Sequence, residues 1–198
     1  VDGQTDDAGQ TLRRYLEHFT PVPGDAWEAF YAYFAPQELP KGAFFARPGS
    51  PATDIAFLVE GTMRAYVTDD RGAEYNKTLH VAPGFAGPYN ALTTGCRNQV
   101  SVQALEPCRL LVADYRRLER LYDPFPALER FARKLAEHYF AAKEQREIAL
   151  VQLDAEARYA AFRQSFPGLE SRIPQYHVAS YLGITPTQLS RIRAKRGK

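Results

Sequence analysis

Ile173-Pro-Gln-Tyr-His-Val-Ala-Ser-Tyr-Leu-Gly-Ile-Thr-Pro-Thr-Gln-Leu-Ser-Arg-Ile-Arg193 carries the most specific pattern in the chain. Val178, Ala179 and Leu182 give a short helix one apolar face. Gly183 supplies the left-handed backbone needed for a sharp exit from it. Ile184 plugs the angle that follows, Thr185 has the hydroxyl of a helix cap, and Pro186 suits a first helical position, where its missing N–H would have been unpaired anyway. Leu189 and Ile192 form the buried stripe of the second helix. The opposite stripe is Thr187, Gln188, Ser190, Arg191 and Arg193, with no acid among them. Arg can pair twice with guanine, Gln with adenine, and Thr or Ser with several partners. Two short helices around a glycine turn, the second presenting such a face, imply a helix-turn-helix whose second helix enters the DNA major groove.

The charge distribution agrees. From Ser171 onward the ionised residues are Arg172, Arg191, Arg193, Lys195, Arg196 and Lys198, all basic, in a chain of net charge +2. A cationic tail on a mildly acidic remainder favours a polyanionic partner, here double-stranded DNA. The candidate DNA-contacting set is Gln175, Thr185, Thr187, Gln188, Ser190, Arg191, Arg193 and Lys195.

At 198 residues the chain has room for one sizeable domain and a small one. No apolar run approaches the ~20 residues of a membrane span, and no basic-then-apolar leader opens the chain, so a cytoplasmic protein without membrane contact is expected. Cys96 and Cys108 are the two cysteines. They are too few for a zinc or iron–sulfur site, and two reduced thiols are expected. Val1 to Gly9 are polar and read as a frayed lead-in with no assigned role.

Upstream, Leu12 to Phe34 carries apolar residues at helical spacing, broken by Pro21-Val-Pro-Gly24 and restarted with Asp25 as a cap. From Gln37 to Ala113 short alternating runs such as Ile55-Ala-Phe-Leu-Val59 and Met63-Arg-Ala-Tyr-Val67 are separated by Gly or Pro, and Asp69-Asp-Arg-Gly72 reads as a hairpin turn. Many short strands with no helices between them imply an antiparallel sandwich or jelly roll. Ala127 to Leu153 then has neither Gly nor Pro and shows Leu128, Phe131, Leu135, His138, Ala142, Gln145, Ala149 and Gln152 at three- and four-residue steps. Such a helix spans about 40 Å, more than a small domain needs for itself, and is expected to pair with its copy in a homodimer. The expected fold is α+β: an antiparallel jelly-roll β-barrel with flanking helices (residues 10–126), a long dimerisation helix (127–153) and a helix-turn-helix domain (154–198). Asp154 is expected to cap the helix that follows.

This order of parts resembles the Crp/Fnr family of bacterial transcription regulators over Leu12 to Lys198. Ala157-Arg-Tyr159, Ile173-Pro-Gln175 and Ala179 to Ile192 resemble the branch common in Bacteroidetes-type genomes, while Gly61-Thr-Met-Arg64 and Asp70-Arg-Gly72 resemble the family's barrel. The resemblance implies a cyclic-nucleotide-binding-like barrel, a winged helix-turn-helix and a homodimer. It also implies base contacts from Pro186, Thr187 and Arg191; because proline has no side-chain donor or acceptor, the weight shifts to Thr187, Gln188 and Arg191. The effector stretch departs from the family's Gly-Glu and Arg-Ser/Thr-Ala pattern: Gly84-Phe-Ala-Gly-Pro-Tyr89 has Pro88 for the ribose-binding Glu, and Asn98-Gln-Val100 replaces the phosphate-binding run. Losing a carboxylate and the charge that would offset a buried phosphate argues against cyclic AMP. The candidate effector pocket is Arg64, Phe85, Tyr89, Asn90, Asn98 and Gln99, open either to an unknown small molecule or to filling by its own aromatics. No cofactor is expected, and His80 alone is not a haem ligand set.

Two other functions compete. A cupin-type metalloenzyme would need several histidines inside the barrel, but His18, His80, His138 and His177 fall in four segments and no metal triad or nucleophile motif is expected. The barrel could instead serve as a ligand-free scaffold for protein contacts, RNA polymerase among them.

Overall fold

The computed structural model describes residues 2–196; Val1 at the start of the lead-in and Gly197 and Lys198 at the end of the cationic tail lie outside the described residues. Its centre is a jelly roll of two four-stranded antiparallel sheets. One sheet is ordered β1 (Ala35–Leu39), β8 (Cys108–Asp114), β3 (Asp54–Glu60), β6 (Gly84–Ala86); the other is ordered β2 (Phe44–Ala46), β7 (Ser101–Ala104), β4 (Thr62–Thr68), β5 (Glu74–Val81). The period-two alternation of β3 sets its two faces. Ala56 and Leu58 point between the sheets with Met63, Ala65, Val102 and Leu110. Ile55, Phe57 and Val59 point outward into a second core built with the helices. Both faces are covered, which explains the unbroken apolar run.

Two turns follow from their residues. Gly61 joins β3 to β4 at φ 102°, and a Cβ there would meet Cys108 Sγ and the Pro107 carbonyl oxygen at 2.7 Å. Between β4 and β5, Asp69 Oδ1 accepts from the backbone N–H groups of Arg71 and Ala73, both at 2.9 Å.

Helices α1 (Asp2–Phe19) and α2 (Gly24–Tyr31) cover the outer face of the first sheet. The polar lead-in is therefore helical rather than frayed: Ala8 is buried in the same cluster as Leu12 and Leu16. Asp25 lies in the first turn of α2 behind Pro23 and is not its cap. After α3 (Tyr89–Thr94) and α4 (Tyr115–Glu119), the long helix α5 runs Pro126–Gln152. Its first half does not form the expected free seam. Leu128 and Phe131 are buried in their own subunit's core, in one cluster with Leu16 of α1 and Phe85 of β6, and Leu135 packs against that cluster. Burying two large apolar side chains against a sheet already covered by α1 outweighs leaving them for a partner.

The C-terminal unit is α6 (Ala155–Ser165), α7 (Leu169–Arg172), α8 (Gln175–Leu182) and α9 (Pro186–Arg196). Asp154 caps α6 by accepting from the Ala157 N–H at 2.8 Å. Tyr159, Phe162, Leu169, Ile173, Val178, Leu182, Leu189 and Ile192 make its core, and Leu79 and Leu105 of the barrel join it. No strand flanks these helices among the described residues, so the wing implied by the family resemblance is absent there. The stretch between α6 and α8 is closed by α7 and its Gly168 turn, leaving no length for two strands. No helix among the described residues is long and apolar enough to cross a membrane.

Candidate nucleic-acid interface and the joint behind it

Gly183 adopts φ 68°, ψ 35°, the left-handed exit that its place in the sequence demands. Thr185 Oγ1 accepts from the Gln188 N–H at 3.2 Å, and Pro186 opens α9. Leu189 and Ile192 face inward. Thr187, Gln188, Ser190, Arg191 and Arg193 are exposed on the other side. That face is free for a duplex and holds no acid. Lys195 is exposed but engaged, its ammonium 2.7 Å from Glu156 of α6. Gln175 leaves the expected contact set: it is half-buried and donates to the Glu170 carbonyl at 2.6 Å, stitching α7 to α8. Arg172, part of the cationic tail by sequence, is exposed but has its charge engaged by the barrel, pairing with Glu106 and Thr62. Tyr176, which the sequence pattern does not single out, is exposed in the first turn of α8.

Behind the reading face, α8 is seated on β5. The Asn76 backbone N–H donates to Ser180 Oγ at 2.9 Å, Asn76 Nδ2 donates to the His177 carbonyl at 2.9 Å, and Ser180 Oγ donates to the Glu74 carbonyl at 3.0 Å. Arg64 completes this joint. It is 5% exposed and points outward from the barrel. Its guanidinium reaches Glu74 at 2.6 Å and Gln103 Oε1 at 2.6 and 3.0 Å, touches His177 Nδ1 at 3.2 Å, and stacks on Tyr66 at 3.7 Å. An arginine cannot accept, so it donates to Nδ1 and His177 is neutral with its proton on Nε2. Burial, reinforced by the Arg64 charge and opposed by Glu74, pushes His177 down to about 4.

The long helix is tied into the same place. Arg146 of α5 donates to the carbonyls of Asn76 at 3.1 Å and Tyr181 at 2.9 Å, so one side chain touches barrel and helix-turn-helix together. Arg158 of α6 donates to the carbonyls of Leu182 at 3.0 Å and Leu153 at 2.6 Å, satisfying the last carbonyls of α8 and α5. The second half of α5 leaves an apolar stripe uncovered: Phe140 is 67% exposed, Ile148 48% and Val151 86%.

The six candidate effector residues do not converge. Arg64 belongs to the joint just described. Phe85 packs outward against Phe57, Tyr15 and Phe131. Tyr89 and Asn90 are exposed on α3, the latter donating to Cys96 Sγ at 3.4 Å. Asn98 is buried but donates to the carbonyls of Arg47 and Val100, both at 2.7 Å, bracing the entry to β7. Gln99 lies in that same approach and is exposed. What remains near Phe85 and Tyr89 is a gap of about 50 Å³ between Tyr115, Tyr122, Phe131 and Leu135. Burial raises Tyr115 and pushes Tyr122 up to about 12, so both phenols stay neutral in that wall. Cys108 is buried, with its thiol pushed up to about 11 by burial, and Cys96 is exposed; both are free thiols. Among the described residues, no group of three His, Cys, Asp or Glu is placed to hold a metal ion.

The jelly roll is thus joined through the long helix α5 to a helix-turn-helix. Residues 36–124 match the cyclic nucleotide-binding domain family. The transcriptional activator protein anr of Pseudomonas aeruginosa is 24% identical over 165 residues, covering 78% of this chain and 67% of that protein. Among solved structures, the chain is similar to the c-di-GMP responsive global regulator CLP of Xanthomonas campestris, with TM-score 0.70, 17% identity and coverage of 88% and 92% of the two chains. It is also similar to FixK2 of Bradyrhizobium japonicum, with TM-score 0.72, 16% identity and coverage of 82% and 83%. These matches show a cyclic nucleotide-binding domain over residues 36–124 and, over most of the chain, the fold of these solved regulators.

Proposed function

We propose that the chain acts as a homodimer that binds DNA sequence-specifically through α9 and regulates transcription in the cytoplasm. The observation that carries this is the outer face of α9: Thr187, Gln188, Ser190, Arg191 and Arg193 are all exposed with no acid between them, while Leu189 and Ile192 anchor the helix from behind. Thr187, Gln188 and Arg191 read base edges; Arg193, Ser190 and Tyr176 hold phosphates. Thr185 acts by capping α9, and Lys195 adds charge only when it leaves Glu156. The stripe of Phe140, Ile148 and Val151 is the dimer face, because apolar side chains this exposed at steps along one helix call for a covering surface.

A cyclic nucleotide is not the effector in this reading: Ala56, Leu58, Met63, Ala65, Val102 and Leu110 fill the space between the sheets, and aromatics close the region around Phe85 outside them. A gap of about 50 Å³ has no room for one, and no cation lines it among the described residues. No catalytic role is assigned to any residue. The test is a fluorescence-anisotropy titration of the dimer on a mixed-sequence duplex at several salt concentrations. Affinity should fall with salt with a log–log slope of roughly −3 or steeper, as expected when cationic side chains displace counterions from several phosphates. A flat salt response would refute the assigned face.

A further inference from the structure

The covalent tie between the long helix and the DNA-reading unit is short: Leu153 and Asp154, both extended, separate α5 from α6. Their backbone dihedrals are soft, so this pivot does not by itself fix a direction. Arg158 braces the pivot itself, through the Leu153 and Leu182 carbonyls.

The direction is set on the barrel. α8 is tied to the Asn76 end of β5 through Ser180, the His177 carbonyl and the Arg64 contact with His177. A second tie is made by α7, whose Arg172 donates to Thr62 Oγ1 at 3.2 Å and pairs with Glu106 in the turn after β7. Thr62 stands opposite Val81, so the two ties are about 16 Å apart along β5 at ~3.3 Å per residue. Between them Leu79, 4% exposed, enters the apolar core of the DNA-reading unit together with Leu105 of the turn. Two separated ties on one strand resist tilting as well as sliding. Without them there is room to tilt: a cavity of about 400 Å³ lies between His18, His80 and His138 on one side and Phe166 and Pro167 of the α6–α7 connection on the other.

Small tilts matter to a protein that grips two half-sites. One added base pair shifts a half-site by ~3.4 Å and turns it by about a tenth of a turn. The 11 residues of α6 span roughly 16 Å, so a tilt of about 12° at its start moves its far end by the same ~3.4 Å.

We propose that Arg64, Asn76 and Glu106 are spacing determinants: by clamping α7 and α8 to the barrel they fix the separation of the two α9 helices in the dimer and restrict the protein to one half-site spacing. This rests on the dimeric DNA-reading function proposed above. The three are positioning residues, acting on DNA through the placement of α9.

The test is competition binding of the full-length protein to duplexes carrying its selected inverted repeat, with the spacer at the selected length and one base pair longer or shorter. Native protein should bind the altered spacers at least tenfold more weakly. Arg64→Met and Glu106→Ala should each reduce that ratio to threefold or less, with the base preference within each half-site unchanged. Glu106→Ala removes no cation, so a lost phosphate contact cannot account for its effect. Val59→Ala, which weakens the core under α1 and touches neither tie, should keep the native ratio and so separates position from general loss of stability. A native ratio below threefold, a tenfold ratio persisting in both folded tie variants, or an equal reduction in Val59→Ala would overturn the proposal and leave reading by α9 intact. Enrichment of no sequence by the native protein would overturn that reading, and the proposal with it.

Discussion

Replacing Arg64 by Met tests the joint between barrel and DNA-reading unit. The methionine keeps much of the stem's packing on Tyr66 but leaves Glu74, Asn76 Oδ1 and His177 Nδ1 without their shared donor. Truncating one partner of a buried, hydrogen-bonded ion pair costs about 3–5 kcal/mol. Glu74 is 41% exposed on its side chain and can rehydrate, and Gln103 keeps its own bond to the Gly42 carbonyl, so the cost here falls to about 2–3 kcal/mol. Urea denaturation of native and Arg64→Met protein measures it. A cycle with His177→Phe should show a coupling of at least about 1 kcal/mol, because the two side chains are in contact. Hydrogen exchange should quicken in α8 and β5 and not in the β3–β8 core. A loss below about 0.5 kcal/mol, the level of an ordinary surface substitution, or strict additivity with His177→Phe, would refute this account of the joint.

Other outcomes follow from the same contacts. His177 has a folded pKa of about 4 against an ordinary 6.5, so below pH 6.5 the unfolded chain binds a proton that the folded chain refuses. Stability is therefore full above about pH 6.5 and falls toward pH 4, and thermal melts of His177→Phe should show a shallower decline over that window. Arg191→Ala should cost about 1–3 kcal/mol of sequence discrimination in competition binding, whereas Lys195→Ala should change affinity only slightly and evenly across sequences. Phe140→Asp should turn the homodimer into monomers in sedimentation velocity with the melting temperature of the barrel little changed, since Phe140 is 67% exposed within its own subunit.

The helix-turn-helix is legible in the sequence because its signals are local: a left-handed glycine, a capping threonine, a first-turn proline and a period-3.6 stripe lie within a few residues of each other. The jelly roll is legible as a class for a similar reason, since alternation and turn residues mark strands without fixing their partners. What escapes is long-range. Arg64 reads as a pocket residue because strand alternation does not say which face is the interior, and its partner His177 lies 113 positions away. Gln175 and Arg172 read as part of a DNA-facing tail, yet their bonds to Glu170, Glu106 and Thr62 depend on how α7 folds back on the barrel. The seam of α5 is misplaced by periodicity alone because its apolar residues divide between two surfaces: Leu128 and Phe131 fill the subunit's own core, whereas Phe140 and Val151 stay on the open face. Nothing in the sequence pattern brings His18, His80 and His138 to one cavity; only the packing of α1 and α5 on β5 does.

The central claim is that α9 reads DNA as one of a pair, and selection of bound duplexes from a random pool by the purified full-length protein tests it most directly. An inverted repeat with half-sites about one helical turn, ~34 Å, apart is the predicted result, with the preferred bases altered when Arg191 is replaced by Ala. Recovery of no enriched sequence, or of the same sequence with and without Arg191, would contradict it.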